Sequence, residues 1–361
     1  MIQFNDKQWD RVIANYKKWW KGELNRPILP MVIHGRDPGR PMPPAPALSF
    51  ATCGDFDIPA KDVIDRIDWG LSSLEYYGDS YPWVNMYHFG AGVTAAFLGA
   101  KVNPTKNTVW FSSEKKVPIE ELHFEYDEGN IWLRRIKDIY KAGKEKWGDS
   151  VCMSMTDLGG TLDILASFTD TEDLLFHLID NPKEVRRLCT EINELWIRYY
   201  KEFNDLLGHQ RVFSDWATML WEKPTYMTQC DFCYMIGNDM FKDFVKDDLA
   251  YISAAVGETF YHLDGPGQLI HLDDILKIDE IKGIQWIPGA GDPEARDWSD
   301  IYRKISYSGK KIMAQFDMNK YLDKIIAVIN KPDDLVKMMF SYPAEEKEAA
   351  LKKLAAYGAL D

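Results

Sequence analysis

His262 and Asp264 stand two residues apart in a segment, 261–274, that also holds His271, Asp273 and Asp274 around Gly265-Pro266-Gly267. On a strand, positions i and i+2 share one face, so an imidazole and a carboxylate spaced in this way can meet a single cation. His271 and Asp273 repeat the spacing, but at the start of an expected helix, where capping accounts for them. Upstream, Cys230 and Cys233 have zinc-like spacing, yet no second Cys-x-x-Cys completes a closed structural site. If the Cys230 thiol reaches the same place, then Cys230, His262 and Asp264 make a three-ligand site with an open position, the arrangement of a catalytic zinc. Two ordinary buried cysteines are the alternative.

Other polar groups fall at the ends of short apolar runs. Asp157 follows VCMSM, Asp215 follows VF, Gln285 lies in GIQWI and Gln315 ends KIMAQ. Carboxylates there could move a proton or stabilise developing charge, and amides could orient a substrate. Arg36 and Arg40 flank Asp37-Pro38-Gly39, a turn that could present two guanidinium groups to a carboxylate. The chain is rich in rings, with 13 Trp, 18 Tyr and 17 Phe. Most must be core, but Tyr81, Trp83, Trp216 and Trp286 are candidates to line a pocket for a flat or apolar ligand.

The elements that must position these groups alternate. Residues 3–21 read as a helix with Trp9, Ile13, Tyr16, Trp19 and Trp20 on one broad face, and 26–31 as a short strand. The proline-rich run 35–47 predicts a stiff extended arm. Helices are expected at 61–77, 129–146, 161–167, 171–178, 182–207, 238–256, 272–278, 298–308, 320–330, 332–340 and 344–357. Asn181-Pro182 is a strong start signal for the longest. Strands are expected at 107–112, 151–155, 212–213, 259–262, 283–287 and 311–315. Short buried strands between amphipathic helices predict parallel α/β architecture. About eight such units suit a (β/α)8 TIM barrel, with a doubly wound sheet as the runner-up. The expectation is one domain over 1–361, with residues 1–60 forming an N-terminal helix and an extended arm packed on the barrel. A barrel gathers strand ends at one mouth, which would bring together Asp157, Asp215, His262, Asp264, Gln285, Trp286 and Gln315.

A net charge of −13 disfavours nucleic acid and anionic membranes as partners. No apolar run reaches spanning length, no basic-then-apolar leader opens the chain, and five cysteines suit a reducing, cytoplasmic setting. No G-x-G-x-x-G after an early strand, Walker A motif, nucleophile elbow or HExxH is legible.

The segment RPILPMVIHGRDPGR, in which Arg26-Pro27 precedes Arg36, Gly39 and Arg40, resembles the N-terminal signature of the uroporphyrinogen decarboxylase family. MTDLGGTLDILA from Met155, FSDWA from Phe213 and YMIGNDMFKDFV from Tyr234 are similar to later family segments. The resemblance implies a (β/α)8 barrel and one of two chemistries. One branch decarboxylates porphyrinogen acetates without metal or cofactor. The other uses zinc to move methyl groups between small donors or thiols and a corrinoid protein, and carries H-x-C at a strand end with a later cysteine. Here His262 matches, Asp264 stands where the thiolate would be, and no cysteine follows Cys233. The decarboxylase branch's aspartate context has no counterpart, and no histidine follows His271. The expectation is a methyltransferase acting on a methoxylated aromatic or similar small donor. Zinc would sit on His262, Asp264 and Cys230, a partner protein would carry the corrinoid, and the chain would be a monomer or homodimer. The alternative is a metal-free lyase that holds a carboxylated substrate on Arg36 and Arg40. A third possibility is a catalytically inert binding protein.

Overall fold

The N-terminal helix Asp6–Trp20 begins at a capping box in which Asn5 and Gln8 bond each other's backbone amides. Its buried stripe of Trp9, Val12, Tyr16 and Trp19 follows the helical repeat. In the computed structural model, which describes residues 1–289 and 297–360, this stripe packs on one face of a parallel sheet. The sheet has five strands in the spatial order Leu335–Lys337, Lys311–Ala314, Ile281–Ile287, Glu258–Asp264 and Thr225–Gln229.

Alternation along these strands sorts every side chain onto one of two faces. Met227, Phe260, Met313 and Val336 form a cluster with Trp9, Val12, Tyr16 and Trp19 of the N-terminal helix. Tyr226, Tyr261, Ile284, Trp286, Ile312 and Leu335 join the larger core, which includes residues of Ile131–Trp147 and Pro182–Leu207. Phe260 and Gly283 face each other across the ladder. A Cβ on Gly283 would stand 2.2 Å from the Phe260 ring, so glycine is needed there for the ring to lie across its neighbour strand.

The other strands form shorter ladders. Pro30–His34 lies between Phe340–Tyr342, to which it is parallel, and Leu74–Gly78, to which it is antiparallel. Trp83–Val84 runs parallel to Cys152–Met153. Single backbone contacts join these arcs: Ile28 bridges Val336, and the Met155 amide donates to Ser214 O at 2.8 Å. The architecture is therefore mixed α/β with a parallel central sheet. The strands group into five separate sheets, and no single closed barrel ladder runs through the described residues. No helix among them is long and apolar enough to cross a membrane.

Two expected helices are corrected, and one strand is added. The helix expected over 61–77 ends at Ser72, and Leu74–Gly78 is a strand whose Tyr77 pairs with Met31. The helix expected over 332–340 is one short turn, Pro332–Asp334, followed by the strand Leu335–Lys337. Thr225–Gln229, outside every expected element, is the fully buried edge strand of the central sheet.

Candidate metal centre

The strand Glu258–Asp264 carries Phe260, His262 and Asp264 on one face. Phe260 belongs to the cluster under the N-terminal helix, so His262 lies one step beyond the apolar layer and Asp264 lies at the strand's end. Across the ladder, His262 pairs with Gln229 on one side and Gln285 on the other. Its ring is fixed from two directions. Nδ1 lies 2.5 Å from Gln285 Oε1, and the Trp216 indole meets the ring edge-on at 5.3 Å. An amide oxygen accepts only from an N–H, so Nδ1 carries a proton and Nε2 is the ring nitrogen left for a metal. This is the orienting contact that metal-binding histidines use. Gln285 is itself buried, with Nε2 on Met338 Sδ at 3.1 Å.

The third member of the group is Asp231. One ligand atom from each of Asp231, His262 and Asp264 lies within 4.8 Å of the others. Asp231 continues the face of Met227 and Gln229 just past the end of their strand and opens the short turn Asp231–Met235. Gln229 is buried, and its Oε1 has no partner among the described residues. One imidazole nitrogen and two carboxylates suit a divalent cation of borderline or hard character. The cluster has no thiolate.

Burial and mutual repulsion shape the surrounding acids. Asp264 is pushed above the ordinary carboxylate range, first by desolvation and then by Asp231, while His262 pulls it down. Asp157 is buried and pushed up to about 8, by desolvation foremost and next by the charge of Asp231, although the Gly159 amide donates to its Oδ1 at 3.0 Å. Asp163 is pushed up to about 7 by desolvation and then by Asp231. A cation between these groups would relieve the repulsion.

The structure separates the remaining candidates. Cys230 precedes Asp231 and faces the other way, into the larger core, where it hydrogen-bonds Cys233. That bond, followed by burial, raises its thiol far above the ordinary range, so it is no thiolate ligand in this arrangement. Asp215 is wholly buried. Its Oδ1 accepts the amides of Ala217 and Met219, both at 3.0 Å, and holds the turn in which Thr218 has positive φ. Desolvation pushes it up to about 7. Tyr81 is enclosed beside Trp9 and Tyr16 of the N-terminal helix and donates to Thr218 O at 3.0 Å. Trp83 donates to Ser214 Oγ at 3.1 Å.

Trp286 follows Gln285 and so points to the opposite face, where it packs edge-on against Trp298 in the larger core. It is therefore core and does not line the face that carries His262. Gln315 is exposed beyond the end of its strand. Arg40 is held by Asp65 and Asp68, each at 3.1 Å, and Arg36 donates to the Met1 carbonyl. Both guanidinium groups thus already have protein partners. Sequence reasoning missed Asp231, Gln229 and Asp163. Parity along residues 227, 229 and 231 points to the first two once 225–229 is a strand.

No protein-family model matches the chain, and no curated protein matches it. Among solved structures, a methyltransferase from Methanosarcina mazei matches with a TM-score of 0.60 over 96% of this chain and 99% of that one, at 13% identity. Likeness at that identity is a likeness of fold.

Proposed function

We propose that this chain is a methyltransferase whose arcs of parallel strand belong to one (β/α)8 barrel, with Asp231, His262 and Asp264 holding a divalent cation, zinc foremost, at its mouth. The observation that carries the reading is the convergence of these three groups within 4.8 Å, with the His262 tautomer set by Gln285 at 2.5 Å. The backbone links from Ile28 to Val336 and from Met155 to Ser214 support the barrel. The fold likeness to a methyltransferase supports methyl transfer. The donor is a small methoxylated or methylamine-type compound, and the acceptor is a corrinoid carried by a partner protein.

When bound, the cation would act as a Lewis acid that polarises the heteroatom losing its methyl group, and carboxylate ligands would make it harder than thiolates would. The residues of this chain do the rest. Gln285 accepts from His262 Nδ1 and so leaves Nε2 to face the cation, Trp216 packs edge-on against the ring, and Asp157, whose protonated form burial favours, can serve as a proton source for the departing heteroatom. The Gln229 acceptor can orient a donor group of the substrate. The carboxylate-binding lyase is less well supported, because its substrate would have to displace Asp65 and Asp68 from Arg40.

The test is elemental analysis of purified protein, together with methyl transfer to free cobalamin from a panel of methoxylated and N-methylated donors. The reading expects one divalent ion per chain, with both metal and transfer lost in His262→Ala. Metal-free protein whose transfer is unchanged by that substitution would refute it.

A further inference from the structure

His262 and Asp264 lie inside a hydrogen-bonded strand, and the ladder fixes where their side chains point. Asp231 has no such support. The ladder of the neighbouring strand ends at Gln229, and Asp231 starts a turn of five residues. Its backbone is held instead by a side chain from another element. Asp163, in the first turn of the helix Thr161–Thr169, accepts the Asp231 amide on Oδ2 at 3.0 Å and the Phe232 amide on Oδ1 at 2.7 Å. One carboxylate thus takes two consecutive amides that the sheet leaves unpaired.

The helix start is pressed against the same corner. A Cβ on Gly160 would stand 2.3 Å from Gln229 O, 2.4 Å from Asp163 Oδ2 and 3.0 Å from Cys230 Cα. Only glycine allows that approach. Immediately after the two clamped amides, Phe232 buries its ring in the larger core. With the Phe232 ring sealed in the core and two amides clamped, the Asp231 backbone is held where its exposed side chain comes within 4.8 Å of His262 and Asp264.

We infer that Asp163 is a positioning residue for the cation site: by clamping the amides of Asp231 and Phe232, it supplies the fixed geometry that the sheet gives to the other two ligands. The inference rests on the proposed metal site and deepens it. Its chemistry is specific, because Asn in place of Asp keeps the size but offers one acceptor oxygen and turns an N–H toward a backbone N–H. Loss of such an outer contact typically weakens metal binding about 10- to 100-fold.

The experiment is a cobalt(II) titration of the full-length wild type, Asp163→Asn, Asp231→Asn and the double variant, followed by the visible d–d spectrum and by calorimetry. Thermal melting of each metal-free protein runs in parallel. The expected result is at least a tenfold rise in the cobalt Kd for Asp163→Asn and a changed d–d spectrum. The metal-free melting temperature should move by only a few degrees, and Asp163→Asn should add less than about twofold in the Asp231→Asn background. Cobalt binding and spectrum equal to wild type in Asp163→Asn would overturn the inference, as would an equally large effect in the Asp231→Asn background. Should Asp163→Asn fail to fold, Asp163→Glu, which keeps both oxygens but adds a methylene, is held to the same criteria. A wild type that binds no cobalt would fell the metal site itself. A wild type that binds while Asp163→Asn matches it fells only the role of Asp163.

Discussion

The two ends of the sheet's inner face are built from opposite materials. At one end Trp9, Tyr16 and Trp19 of the N-terminal helix pack on Phe260 and Met313 of the sheet, with Trp19 and Phe260 stacked at 6.5 Å. Two residues further along the same strand, the face changes to His262, Asp264, Gln229 and Gln285. The same backbone ladder serves both ends, so the difference is one of side-chain chemistry alone. The apolar end secures the fold, and the polar end collects groups that cost stability unless something binds them. Mutations at the two ends should therefore separate stability from binding.

The largest stability effect belongs to the apolar end. Trp19→Ala removes a fully buried ring and its bond to Leu335 O at 3.1 Å. The expected loss is about 3–5 kcal/mol in denaturant unfolding. At the polar end, His262→Ala should change unfolding by less than about 1 kcal/mol while abolishing metal binding. Equal stability losses at the two sites would break the comparison.

Asp215 sharpens it through pH. Its folded value near 7 lies above the ordinary value near 3.8, so the native state holds a proton that the unfolded chain releases. Stability from this group is complete below pH 4, falls as pH rises toward 7, and levels off above that. The difference amounts to roughly 4 kcal/mol at most. Asp215→Asn should remove its share of the downward slope between pH 4 and 7 in urea melts at several pH values, leaving that of Asp157 and Asp163. A slope unchanged by the substitution would show that the group titrates normally.

A smaller effect should follow from Gln285→Leu, which frees His262 Nδ1 from its acceptor. Zinc affinity measured by competition with a chelator should fall about 10- to 100-fold. An unchanged affinity would mean that Gln285 does not set the tautomer.

Much of this was legible in the sequence, for reasons that particular residues make plain. The period-two spacing of His262 and Asp264 placed both on one face, and Asn181-Pro182 marked the start of the long helix correctly. The parallel α/β character followed from the alternation of elements. Thr225–Gln229 escaped because TYMTQ is short, mixes polar and apolar residues, and is buried on both faces, so neither a clean alternation nor an apolar run shows. That omission misdirected the ligand set. With the strand recognised, parity puts Asp231 beside His262 and sends Cys230 to the opposite face. Trp286 lies in a strand that the sequence does indicate, but it is one residue from Gln285 and so points to the opposite face of the sheet. Asp163 could not have been found, because its role comes from a tertiary contact across 68 residues of chain.

The adjacent pair Cys230 and Asp231 offers the most direct test of the central claim. Zinc bound per chain is to be counted after equilibrium dialysis for wild type, Cys230→Ala and Asp231→Asn. The account predicts one zinc in the wild type, one in Cys230→Ala with affinity within about twofold, and a zinc affinity at least tenfold weaker in Asp231→Asn. Zinc lost from Cys230→Ala but kept by Asp231→Asn would contradict it.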